Sequence, residues 1–307
     1  NPSMKRPLSR LLLLAAGATF LSPVASGASA PSGRPASARI SLTLESGFTG
    51  QTDLEARGAA AGGVSVFQTS ARINMPLPPL SAQWFPGVSL RYRHHRLDRE
   101  AGTPLPADLQ SLSLGLNAYG VLSPDWTFIG SVSPGVAGAG GLGSRGFGVG
   151  VMGIALRKFG PDLSAGFGLR YDSLARGSTR ILPIATFDWA PAPGWKAFLG
   201  FPRTGASWRI DNSWSAEFTA EMDFGSFQMN DDPLPAGRNK PPLNRTRLEY
   251  KAVRVGPALK WEASPDLSAR LGAGIVPFLE AEYEQRGYQL KSGGATGFAS
   301  LELDWKF

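Results

Sequence analysis

The chain contains no cysteine and only two histidines, His94 and His95. The first absence excludes disulfides, thiolate nucleophiles and a lipidated leader. Both together exclude the usual zinc clusters, which draw on several Cys or His ligands. Charged residues are sparse, at 18%. No run of basic residues is dense enough for a nucleic-acid surface, so no nucleic-acid partner is expected. Helical periodicity is nearly absent. Beyond the N-terminal leader no apolar run reaches the roughly 20 residues of a spanning helix.

The leader itself is informative. Asn1, Pro2 and Ser3 precede Met4, which reads as the start, with 1–3 an upstream remnant. Lys5, Arg6 and Arg10 are followed by an apolar run from Leu11 to Phe20 and a small-x-small site at Ala28-Ser29-Ala30. This pattern predicts a secretory signal peptide over 1–30, leaving 31–307 as a single domain. A membrane anchor is the alternative, but the apolar run is short for one. Removing 1–30 takes away three basic residues and no acidic ones, so the net charge falls from +7 to +4. The basic balance of the whole chain therefore owes much to the leader.

What the chain does have is glycine (38), proline (25) and strict alternation. The ending Ala299-Ser-Leu-Glu-Leu-Asp-Trp-Lys-Phe307 alternates apolar and polar residues up to an aromatic. Period two is the pattern of a strand with one oily face. Short turns recur, each followed at once by such a strand: Ser123-Pro-Asp-Trp126, Gly160-Pro-Asp-Leu163, Pro191-Ala-Pro-Gly-Trp195, Asp211-Asn-Ser-Trp214 and Ser264-Pro-Asp-Leu267. A looser one lies near 75–83. These are hairpin turns by composition.

Longer connections are expected at 48–62, 97–108, 136–145, 173–179, 202–205, 230–244 and 282–295. Short turns at one end and long loops at the other predict an all-β fold, a transmembrane antiparallel β-barrel of 14 strands. Twelve strands are the alternative, because 195–201 and 206–210 are short for membrane strands. Bulges are expected where parity fails, in 146–157 and 245–261. The setting is then the bacterial outer membrane, with outer-membrane lipid as the first partner.

All eight tryptophans lie near a proposed short turn or the C-terminus. Trp126, Trp189, Trp195, Trp214 and Trp261 are assigned to a membrane-interface belt, because amphipathic rings collect at that depth. Parity sends one face of each strand to lipid and the other to the lumen. The lumen-lining charges expected on this basis are Arg72, Arg91, Arg93, Arg170, Glu217, Glu221, Asp223, Arg247, Glu249, Lys251, Arg270 and Glu280. Fourteen strands about 4.8 Å apart and tilted about 40° enclose a backbone radius of roughly 14 Å.

Leu301-x-Leu303-x-Trp305-x-Phe307 resembles the C-terminal β-signal of outer-membrane proteins. The resemblance implies that these four residues are read by the barrel-assembly machinery, after escort by periplasmic chaperones. The region from Leu182-Pro183-Ile184 through Gly200-Phe201-Pro202 to Phe224-Gly225 resembles a family of uncharacterised Gram-negative outer-membrane β-barrel proteins, a domain of unknown function. That resemblance implies fold and place, not an activity.

Charged rings set ion preference in pores. The functional expectation is a porin-like channel for small polar solutes, without cofactor or metal. The alternatives are a non-conducting structural barrel, in which inward charges pair across the lumen, and an outer-membrane lipid hydrolase. No enzyme is expected. The hydrolase would use His95 near the outer rim with Asp98, but no serine spacing supports a triad. Two motifs are set aside. Gly138–Gly143 fits G-x-G-x-x-G but precedes a strand pattern instead of a helix. Asn244-Arg245-Thr246 is a glycosylation sequon that carries little meaning in a bacterial outer membrane.

Overall fold

The computed structural model describes residues 39–176, 179–236 and 239–307. The proposed signal peptide lies outside the described residues. The strands are β1 Ser41–Ala56, β2 Ala59–Pro76, β3 Trp84–Arg99, β4 Asp108–Val121, β5 Trp126–Ala139, β6 Phe147–Lys158 and β7 Leu163–Asp172. They continue as β8 Ile181–Ala192, β9 Trp195–Leu199, β10 Arg203–Arg209, β11 Trp214–Met229, β12 Arg247–Glu262, β13 Leu267–Tyr283, β14 Tyr288–Ser292 and β15 Thr296–Lys306. The last two form one interrupted strand. Both pair with β13 on one side and β1 on the other. The wall is therefore a closed antiparallel barrel of fourteen strands.

Closure happens at the final residues. Leu42 opposes Trp305 and Leu44 opposes Leu303, and the Phe307 N–H donates to Ile40 O at 2.9 Å. A closed wall leaves no unpaired edge in lipid, which is what a membrane barrel requires.

The short turns form because a side chain satisfies their backbone. Asp211 Oδ1 accepts from the N–H groups of Ser213 and Trp214 at 2.7 and 2.8 Å. Ser264 Oγ accepts from Asp266 and Leu267 N–H, and Ser123 Oγ from Trp126 N–H. This is how Asp and Ser earn their place in turns.

The long-loop end is the outer end by the turn-length asymmetry of such barrels. Two of its expected loops are strand instead. Across 48–62, β1 and β2 continue to a two-residue turn at Arg57-Gly58, both with positive φ (53° and 79°). That geometry matches the twist of a hairpin. Across 282–295, β13 turns tightly at 284–287 and returns as β14. The strands β9 and β10 are as short as expected, at five and seven residues. The expected bulge near 245–261 falls on the β12–β13 pairing, between Val253 and Val255. The other expected bulge is absent, since β6 pairs without interruption.

The outer face carries the apolar residues. Leu116, Phe167, Leu169, Phe218, Leu271 and Leu301 are exposed there, because in this fold the hydrophobic residues meet lipid.

Candidate functional site

Along β11 the wall changes course. From Arg203↔Glu221 to Arg209↔Ser215, β11 pairs with β10. Beyond Glu221, β10 has ended. β11 continues beside β12, and at its tip pairs in parallel with β5, through Gln228↔Gly138 and Met229↔Ala139. The outer half is thus a smaller ring of nine strands, β11 to β14 and β1 to β5. The same spacing and tilt give it a radius of roughly 9 Å. Side chains fill a ring of that size, and here they do. Leu54, Val66, Leu97, Leu109, Phe227, Met229, Leu248, Tyr283 and Leu290 are buried together. Leu105 and Leu243 fold in from loops, at 1% and 0% exposure. The Tyr283 hydroxyl donates to Pro104 O at 2.8 Å and ties one of those loops down.

Beneath this core the interior is ionic. Arg93 on β3 reaches across the barrel to Asp223 on β11, at 3.2 Å. It also donates to Phe224 O at 3.2 Å. That carbonyl sits on the stretch of β11 that has left β10, and the guanidinium satisfies it. A Cβ at Gly225 would lie 2.7 Å from the Phe227 ring and 3.4 Å from an Arg93 nitrogen, so the close approach needs glycine. Asp223 also receives His95 Nε2, at 2.8 Å.

Lower down, Arg270 contacts Glu217 and Glu221, each at 2.8 Å. Arg203 pairs with the same two carboxylates. Arg254 reaches Glu45 at 3.5 Å. Arg72 on β2 stands opposite Arg91 on β3, two residues from Arg93, and the carboxylates of Glu45, Glu302 and Asp304 act on it. Arg170 on β7 holds Asp172 at 3.0 Å and lies over the Phe224 ring. The structure thus gathers Arg72, Arg91, Arg93, Arg170, Glu217, Glu221, Asp223 and Arg270 inside the barrel.

Four expected lumen residues are placed otherwise. Tyr250 packs against His95 at 5.3 Å between ring centroids, and Arg254 points at Glu45, so the even face of β12 looks inward. Arg247, Glu249 and Lys251 therefore occupy the other face. The bulge reverses parity on β13: Leu279, Ala281 and Tyr283 turn into the core, and Glu280 turns away. On that outer face Lys251 pairs with Glu249, Glu280 and Glu282. Glu249 and Arg247 bind the β7–β8 connection. Glu249 accepts from Arg176 N–H and the Thr179 hydroxyl, and Arg247 donates to Ser173 O and Leu174 O.

His95 is not at the rim. It is 1% exposed, between Tyr250 and Phe227, with Asp223 and not Asp98 as its partner. Its Nδ1 has no hydrogen-bond partner among the described residues, so no hydroxyl is positioned there for a triad. Arg254 and Glu45 are lumen residues beyond those expected, and the signal for Arg254 is present in the sequence, since Tyr250-x-Ala252-x-Arg254 alternates as plainly as Glu249-x-Lys251. Gly138–Gly143 is followed by a single 3-10 turn, Ser144–Gly146, that leads into β6, and not by the α-helix a dinucleotide site requires.

The tryptophans gather at the short-turn end. Trp189, Trp195, Trp214 and Trp261 are all more than a third exposed, and Trp126 is partly so. Trp195 stacks on Trp208 and Trp214 on Trp261 across paired strands.

The pattern of the family described as Domain of unknown function (DUF6268) matches residues 51–291, more than half of the chain. The chain belongs to this family. Among curated proteins no sequence matches it. A solved structure shares the architecture of this DUF6268 barrel. The COG4313 outer membrane channel from Pseudomonas putida F1 aligns over 90% of this chain and 98% of its own, at 10% identity and a TM-score of 0.51. A Pseudomonas aeruginosa FadL homologue aligns over 87% and 90%, at 10% identity and 0.42. The NanC porin aligns over 87% and 100%, at 11% identity and 0.40. At such identities the likeness is one of fold. The DUF6268 chain is a β-barrel of the bacterial outer-membrane type.

Proposed function

We propose that the barrel is an outer-membrane channel for small polar solutes, with a polar path in its wide half and a seal in its narrow half. One observation carries this reading: the wide half is lined by carboxylates and guanidinium groups, whereas the narrow half is filled with apolar side chains. Withdrawing ions from water costs several kcal/mol each, roughly. A barrel with a purely structural role could have filled its wide half as it fills its narrow one. Guanidinium groups on β3, β7, β10, β12 and β13 are interleaved with carboxylates on β1, β7 and β11, a charged lining suited to selecting charged or dipolar solutes. The fold shared with an outer membrane channel supports the same reading.

In this reading Leu301, Leu303, Trp305 and Phe307 present the assembly signal to the barrel-assembly machinery. The tryptophans anchor the periplasmic interface. Planar-bilayer recording tests the proposal. Steady conductance steps whose ion preference shifts on Arg91→Glu or Glu221→Lys support it. A folded but silent barrel, with no solute flux into vesicles, refutes it. That result would favour a non-conducting barrel, a reading favoured by the dry core across the outer half and the Arg93–Asp223 pair spanning the lumen.

A further inference from the structure

We propose that the cavity where β3, β5, β7 and β11 converge is a binding site for a small oxyanion, a phosphate or carboxylate group. The cavity measures about 70 Å³, room for a few waters or one such group. It exists because β11 leaves the wall after Glu221 and crosses toward β5, which encloses space on its far side.

Its lining includes three guanidinium groups, Arg91, Arg93 and Arg170, against the single carboxylate of Asp172. Arg93 and Arg170 are held by carboxylates of their own, Asp223 and Asp172. Each guanidinium presents a rigid fork of donors suited to carboxylate and phosphate oxygens. The Arg170 Cζ lies over the Phe224 ring, 5.7 Å from its centroid, a cation–π contact that helps hold this guanidinium in place.

A second observation is independent of the charges. Ser226 lines the cavity, is 5% exposed, and its Oγ has no hydrogen-bond partner among the described residues. Buried hydroxyls are ordinarily paired, and an oxyanion supplies the missing acceptor. Ser133, also 5% exposed, adds a further hydroxyl to the lining. Binding stands on this geometry alone and does not rest on the channel reading.

Titration calorimetry of the folded full-length barrel in detergent, with inorganic phosphate and then acetate, tests the site. Saturable binding of at least one anion is expected. Arg170→Gln should weaken it about tenfold or more, Arg170→Lys less, and Ser226→Ala about threefold to tenfold. Absence of binding by either anion at millimolar concentration overturns the proposal. So does an affinity unchanged by both Arg170→Gln and Ser226→Ala. Folding of each variant is checked by heat-dependent gel migration, and if Arg170→Gln does not fold, Ser226→Ala decides. Anion binding by a barrel silent in bilayers would sink the channel and leave the site. Conductance without anion binding would do the reverse.

Discussion

Replacing Asp223 with alanine removes the carboxylate on which the middle of the barrel converges. Its side chain is 5% exposed, against 10% for Arg93 and 1% for His95. Little water is at hand to replace it. Among the described residues Arg93 would keep only the Phe224 carbonyl, and the His95 ring would lose its one hydrogen bond. Removing one partner of a buried pair costs about 3–5 kcal/mol, because the remaining charge is left uncompensated. Asp223→Asn keeps an acceptor oxygen but not the charge, so it should cost somewhat less than alanine while still exceeding the roughly 1 kcal/mol of an exposed pair. The assay is equilibrium unfolding in urea of the barrel in lipid vesicles, with Arg93→Ala and the double variant completing a cycle. A coupling of about 2 kcal/mol or more is expected from contact this direct. Were Asp223→Ala to fall within about 1 kcal/mol of the unaltered barrel, the level of an exposed ion pair, the interior would be wet and the reasoning wrong.

Leu243 reaches the outer core from a loop with 0% exposure, so Leu243→Ala should cost about 2–5 kcal/mol in the same unfolding assay. If the apolar core is the seal, this variant should also raise conductance or open probability in bilayers. Asp232, in the β11–β12 connection, is pushed up by burial. The N–H groups of Leu243 and Leu234 and the Lys240 ammonium outweigh that and hold its carboxyl below the usual range. The stability it lends is complete above the ordinary carboxylate pKa and is lost as pH falls through the depressed value. Pepsin nicking of the β11–β12 connection, measured against an unfolded substrate at the same pH, should therefore rise as pH falls below the ordinary carboxylate range, and Asp232→Asn should remove that relative pH dependence. Deleting Phe307 removes the 2.9 Å closing bond to Ile40 and the aromatic end of the proposed signal. Less heat-modifiable barrel should reach the membrane, and unchanged yield would count against both roles.

Much of the wall was legible because its cause is local. Ser and Asp turns satisfy their own backbone, and alternation fixes which face is oily, so the short turns and the closing strand could be placed from residue order. Arg91, Arg93, His95 and Leu97 share one face of β3, and their change from charge to hydrocarbon already recorded the passage from polar lumen to apolar core. Parity misled where a single bulge intervened: one extra residue on β13 reverses every side chain beyond it, and Glu280 changed faces. On β12 both parities alternate, and only the partner across the barrel, His95 against Tyr250, distinguishes them.

The sequence by itself determined an all-β membrane wall, its fourteen strands, its tryptophan-rich short-turn end and its point of closure. These follow from period-two patterning and turn chemistry, which act over a few residues. The tertiary structure alone decided that β11 would leave β10 for β5. That choice divides one lumen into a ring of nine strands filled with apolar side chains and an arginine-lined cavity. It depends on strand lengths on opposite sides of the barrel and on contacts such as Arg93 to Asp223, 130 positions apart. No local pattern encodes such pairings, because each strand satisfies its own alternation whichever neighbour it meets.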